Sequence, residues 1–147
     1  MNVTQGRDAI YSQIKTTLDG DPISAPIKVL YWDVGQDVPK TQDALTEAAD
    51  PYIVAHAAFN GGGQATFADQ DGQARFDRRG IVTLQIHAPF GTGQVLNDQL
   101  LEICLSAFEG KNANGVWFRN VRPVDIGQRG QYFRSNVVAE FEFDQLR

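Results

Sequence analysis

The chain has a single cysteine, Cys104, and two histidines, His56 and His87, among 147 residues. One thiol excludes an intrachain disulfide framework and a multi-thiolate metal site. No apolar run approaches the roughly 18 residues of a membrane-spanning helix. Residues Met1 to Ile10 lack the basic-then-apolar layout of a secretory signal. The expectation is a protein made and kept in a reducing cytoplasm, or leaving it only by lysis, with no membrane partner. Basic residues are also few: 13 Lys and Arg stand against 18 Asp and Glu, for a formal charge of −5. That sign argues against general nucleic-acid binding, which draws its affinity from a basic surface. There is no internal repeat and no low-complexity linker, so one domain is expected over residues 1–147. A chain of this length buries roughly two-thirds of its extended surface and needs no disulfide or metal to hold a core.

Periodicity supplies the elements. Ile10, Ile14 and Leu18 recur every four residues and predict a helix over Gln5 to Leu18, stopped by Gly20 and Asp21-Pro22. A short strand is expected at Ile27 to Trp32, a loop over 33–50, and a second strand at Tyr52 to Phe59. Asn60 to Gly80 opens with Gly61-Gly62-Gly63 and is polar throughout. It reads as a long functional loop, or as two strands continuing into a β-arm. Ile81 to Ala88 is the central strand. One of its faces, Val82, Leu84, Ile86 and Ala88, is wholly apolar and should point at the helices. A turn at Pro89 to Gly93 leads into a helix over Gln94 to Phe108, with Leu96, Leu100, Ile103, Cys104 and Phe108 as its buried stripe. Strands are expected at Val116 to Asp125 and Tyr132 to Phe143, joined through Asp125 to Gln131. The fold class is α+β: a mixed, mostly antiparallel β-sheet with two α-helices packed on one face and a long loop or β-arm.

Three groups of residues invite a chemical reading. Gly91-Thr92-Gly93-Gln94-Val95-Leu96 follows a strand and opens a helix, as a dinucleotide-binding turn does. Leu96 replaces its third glycine, and Gly115 to Asn120 lacks the acid that would hold a ribose, so a capping turn is the simpler reading. His56, His87 and Cys104 could form a zinc site or a Cys–His pair, but none has a neighbouring ligand at metal spacing, and Cys104 lies within an apolar stripe. No catalytic, cofactor or metal residue is therefore assigned, and the expectation is a non-enzyme. Asp69, Asp71 and Asp77 stand beside Arg75, Arg78 and Arg79, with Phe67 and Phe76 among them. Mixed charge interleaved with aromatics suits a protein-contacting surface. Trp32 and Trp117 on candidate edge strands fit the core first and a subunit interface second. The candidate subunit or partner interface is Phe67, Asp69, Asp71, Arg75, Phe76, Asp77, Arg78, Arg79 and Trp32.

Two stretches carry a resemblance. One is Gly80-Ile-Val-Thr-Leu-Gln-Ile-His-Ala-Pro-Phe-Gly-Thr-Gly93, followed by an apolar helix. The other is Val121-Arg-Pro-Val-Asp125 with Gly130-Gln-Tyr-Phe-Arg-Ser-Asn-Val-Val-Ala-Glu-Phe-Glu-Phe143. With the starting helix and the early strand bearing Trp32, they resemble the tail terminator and minor tail proteins of tailed bacteriophages with a tube-type tail. The likeness spans nearly the whole chain in layout and matches Asn60 to Gly80 least. It implies a structural virion protein in the neck region of the tail, assembled in the host cytoplasm. Such proteins form a homohexameric ring that caps the tail tube, stops its polymerisation and presents the docking surface for the head. The implied partners are itself, the tail tube protein and a head-completion or stopper protein. DNA passes through the lumen without specific binding. The alternative is a head–tail connector or stopper. A compact chain of this length is roughly 38 Å across, and six such bodies in a ring enclose a lumen of about 38 Å, wide enough for a duplex.

Overall fold

The computed structural model describes residues 1–31, 50–66 and 72–147. Within them the chain runs α1 (Val3–Asp19), β1 (Lys28–Tyr31), β2 (Tyr52–Gly61), β3 (Arg75–Pro89), a 3₁₀ turn (Phe90–Thr92), α2 (Gly93–Phe108), β4 (Asn112–Ala113), β5 (Val116–Arg129) and β6 (Tyr132–Leu146). Residues 33–49 of the loop expected over 33–50, and the candidate residues Trp32, Phe67, Asp69 and Asp71, lie outside the described residues. None of the described helices is long and apolar enough to cross a membrane.

Helix α1 begins on a reciprocal cap. Asn2 Oδ1 accepts from the Gln5 N–H at 2.8 Å, and Gln5 Oε1 accepts from the Asn2 N–H at 2.8 Å. Two backbone donors that a helix start leaves bare are thereby satisfied. Its far end is tied down by Ser24, whose hydroxyl donates to the Leu18 carbonyl at 2.6 Å. Between the two ends, Ile10, Ile14 and Leu18 are buried at the spacing expected of them.

The described strands form one sheet in the order β1-β2-β3-β6-β5-β4. Strand β1 runs parallel to β2, and every other neighbour is antiparallel. The sheet is mixed and mostly antiparallel, and both helices cover the same face. On β3, Val82, Leu84, Ile86 and Ala88 are each 0% exposed. The first three share one core with Ile10 and Ile14 of α1, Leu100, Cys104 and Phe108 of α2, and Val137, Ala139, Phe141 and Phe143 of β6. Leu96 and Ile103 pack against it from the helix flank. The opposite face of the sheet carries neither helix.

Several limits depart from the sequence reading. Strand β3 begins at Arg75 rather than Ile81, because the charged residues before Gly80 pair with β6 through Arg75↔Leu146. Strand β5 continues to Arg129 rather than ending at Asp125. Gly127, at φ 102°, sits at a bulge opposite Arg134 instead of in a turn. The turn is the pair Gly130-Gln131. Finally, Asn112 and Ala113 form β4 against Trp117 and Val116, a pairing too short to leave a pattern in the sequence.

Candidate functional site

Five of the candidate interface residues are described, and they lie on a strand rather than in a loop. Beyond Phe59 the β2–β3 pair continues as an arm: Asp77 N–H donates to the Gly63 carbonyl at 2.8 Å, and Ala65 N–H to the Arg75 carbonyl at 2.7 Å. Gln64 bridges Phe76. On the other side, Ala74 and Arg147 exchange two backbone hydrogen bonds at 3.0 Å each. Of the two readings for Asn60 to Gly80, the β-arm is the one found on both sides of residues 67–71.

Strand alternation then separates the five residues. Phe76 and Arg78 project to the helix side, where Arg78 is opposite Phe143. Arg78 Nε donates to Gln145 Oε1 at 2.8 Å, and its guanidinium carbon stands 5.4 Å over the Phe76 ring. Arg75, Asp77 and Arg79 project to the helix-free face. There Arg75 Nε meets Asp144 at 3.7 Å. Arg79 meets Asp77 at 3.2 Å and Glu142 at 3.6 Å. Arg119 of β5 reaches the same Glu142 oxygen at 2.8 Å. Glu142 thus links arginines from both neighbouring strands, and a row of charge crosses β3, β6 and β5. Arg79 and Arg119 are at least half exposed. Each such pair contributes no more than about 1 kcal/mol to stability, so the row shapes a surface more than it holds the fold.

Trp117 stands opposite Glu142 in register and is 63% exposed. The core reading of this tryptophan is therefore corrected. Among the described residues, only the two-residue β4 pairs with its strand on the outer side. Farther along the same face lies a second, aromatic group. His87 stacks on Tyr52 at 4.2 Å and 6°, and Tyr132 meets both rings edge-on at 6.0 and 5.4 Å. The Tyr132 hydroxyl donates to the Asp50 carbonyl at 3.1 Å. Burial, reinforced by the Asp50 carboxylate, raises the Tyr132 phenol above its ordinary pKa.

The chemical alternatives do not converge. His87 belongs to that aromatic group, and His56, opposite Thr83, lies four register positions away on the same face. Cys104 is on α2, across the sheet from both, is 0% exposed, and its thiol is pushed up to about 12 by burial. Such a thiol is not a nucleophile near neutrality. Among the described residues no three potential metal ligands cluster. At the Gly91 turn, Phe90 donates its N–H to the Gln131 carbonyl and stacks its ring on Phe133 at 4.7 Å. One turn into α2, Asn97 Nδ2 donates to Ser135 Oγ at 2.9 Å. These contacts fasten the helix start to the β5–β6 hairpin.

Sequence reasoning gave Trp117 an interface only as its second reading and did not single out Arg119, Glu142 or Asp144 as members of this surface. The signal was present in the outward positions of β6, where Glu140, Glu142 and Asp144 alternate with phenylalanines. Acids at that spacing ask for basic partners on the flanking strands.

No family model matches the chain, and no curated protein matches it. Among solved structures, one protein superposes with a TM-score of 0.65 at 13% identity, covering 97% of this chain and 96% of that one. A chain from the virion of a native gene transfer agent particle aligns over 94% of this chain and 93% of its own, with 17% identity and a TM-score of 0.42. The first likeness is one of fold. The second is too loose to say more about this chain.

Proposed function

We propose that this protein is a structural component of a virion that works by assembling: a six-membered ring that caps a tail tube, stops its polymerisation and gives the head a surface to dock on. The observation that carries the reading is the helix-free sheet face, where the Arg79–Glu142–Arg119 row and the exposed Trp117 lie side by side. A charged row with an aromatic at its margin suits contact with another protein, the charges fixing register and the ring supplying buried area. The phage-tail resemblance of Gly80 to Gly93 and Val121 to Phe143 says which kind of assembly. The reading includes no catalytic step and no cofactor. Its partners are further copies of the chain, the tail tube protein and a head-completion protein. The net charge of −5 suits a conduit that DNA crosses without adhering.

Capping follows from asymmetry. A ring closes through a heterologous contact, one face of a subunit meeting a different face of the next. If one end of that ring matches a tube subunit and the other does not, further tube subunits find no template. The test is the mass of the purified assembly, alone and with tube subunits. The proposal expects a species of six times 16.2 kDa that binds tube ends and halts their growth. A chain that stays monomeric in both settings overturns it. A ring that binds heads but leaves tube length unregulated moves the assignment to a head–tail connector or stopper.

A further inference from the structure

We infer that the helix-free margin of β5 is the docking surface for the outer face of α2 from a second copy of the chain. This inference rests on the ring reading and names the contact that would close it.

Among the described residues, β4 covers only Val116 and Trp117 of β5, so the strand has a bare outer edge from Phe118 onward. A bare edge ordinarily invites another strand. This one cannot take one along its length: its register shifts between Arg119 and Arg122 and again between Asp125 and Gly127, and Pro123 between them has no N–H to give. Contact at this margin must be made by side chains. Arg119, Arg122 and Val124 stand opposite Glu140, Val138 and Asn136 of β6, which places all three on the helix-free face. Ile126 lines a hollow there with Gln85, His87, Arg134 and Asn136. Val124 is 37% and Ile126 43% exposed. Arg122 donates to the Asn120 carbonyl at 3.0 Å and has no carboxylate against it among the described residues.

The complementary surface is on the other side of the molecule. Val95, Asp98 and Glu102 of α2 are spaced by three and four residues and form one stripe facing away from the core, and Glu109 follows just past the end of the helix. Val95 is 67% exposed. Among the described residues none of the three acids has an ion-pair partner. The two surfaces also agree in length and order. From Val95 to its last residue, Phe108, the helix rises about 20 Å. From Arg119 to Ile126 the strand spans about 23 Å. Each surface has its apolar residues at one end and its charge at the other, of opposite sign. The contact is heterologous, because α2 covers the core face and its stripe cannot reach the β5 margin of its own chain.

The test uses the full chain in two charge-reversed forms. One carries Arg119→Glu and Arg122→Glu, and the other Asp98→Arg and Glu102→Arg. Each alone should need at least about tenfold more protein to assemble, as sedimentation reads it, with its melting transition retained. Mixed in equal amounts, the two should assemble again, since each reversed surface then meets its complement around a ring with an even number of places. Arg122→Gln and Glu102→Gln provide a milder check: wild-type assembly should weaken with added salt, and that dependence should flatten in both variants. Reversed forms that assemble like the wild type, or that fail to recover on mixing, overturn this contact while leaving the ring reading intact. A wild-type chain that never assembles overturns both.

Discussion

Gly6 of α1 lies directly against the ring of Phe143 in β6, so closely that a Cβ at position 6 would overlap Cε1 and Cζ of that ring. The ring cannot swing away. Phe143 is 2% exposed and is braced edge-on by Phe59 at 5.9 Å, and the Arg7 guanidinium stands 5.0 Å over Phe59. The contact seats the first helix over the root of the β-arm.

Two effects oppose each other in Gly6→Ala. Alanine is favoured over glycine within a helix by about 1 kcal/mol. Forcing a methyl group into a filled core costs about 1–3 kcal/mol. The overlap wins, and the variant should unfold at lower urea than the wild type. A raised midpoint would mean that Phe143 has room to yield.

Gly80 is the stricter case. A Cβ there would strike both the Ala58 carbonyl oxygen and the Phe141 ring. A backbone oxygen in a paired strand has no rotamer to change, so the neighbouring strand itself must move. Gly80→Ala should lose more stability than Gly6→Ala in the same urea titration. An equal or smaller loss would show that β2 and β3 are less firmly paired near Phe59 and Gly80 than their register indicates.

Leu100 sits at 0% exposure where α2 meets the sheet. Truncating it removes methyl contacts and leaves a void that the close-packed surroundings fill only in part. Leu100→Ala should destabilise the subunit by about 2–5 kcal/mol. An unchanged denaturation midpoint would place α2 outside the core.

Cys104 gives a pH dependence with a definite sign. Its folded thiol titrates at about 12, against 9.0 when free of the fold. The unfolded chain therefore releases this proton first as pH rises. The thiol's contribution is fully present below about 9 and is lost as pH climbs toward about 12. Cys104→Ala should flatten the loss of stability across that alkaline window, measured as urea midpoint against pH. In the native protein a thiol reagent at pH 8 should label Cys104 only at the rate of unfolding. Rapid labelling would contradict the burial.

Much of the core was legible in the sequence, and the surface was not, for a physical reason. Val82, Leu84, Ile86 and Ala88 alternate with polar residues, and Leu100, Cys104 and Phe108 recur every four. Burial imposes those periods, so they could be read. The arm left no such trace. Phe76 is the one apolar residue from Arg75 to Arg79, too few to show a period, and the glycines before it read as loop, although Gly62 is placed where a side chain would strike the Asp77 carbonyl. Gly127 likewise read as a turn because nothing local distinguishes a glycine in a bulge from one in a hairpin. Trp117 was assigned by its size, whereas its exposure is decided by how little of β5 the short β4 covers. The described interface candidates, Arg75 to Arg79, were read as one surface on a loop or a β-arm. The strand divides them between two faces, and the acids of β6 complete the outward one.

The central claim is that this chain caps a tail tube, and electron microscopy of a lysate from a virus lacking its gene tests that most directly. The account predicts tails of uncontrolled length, unattached to filled heads. Tails of normal length joined to heads would contradict it.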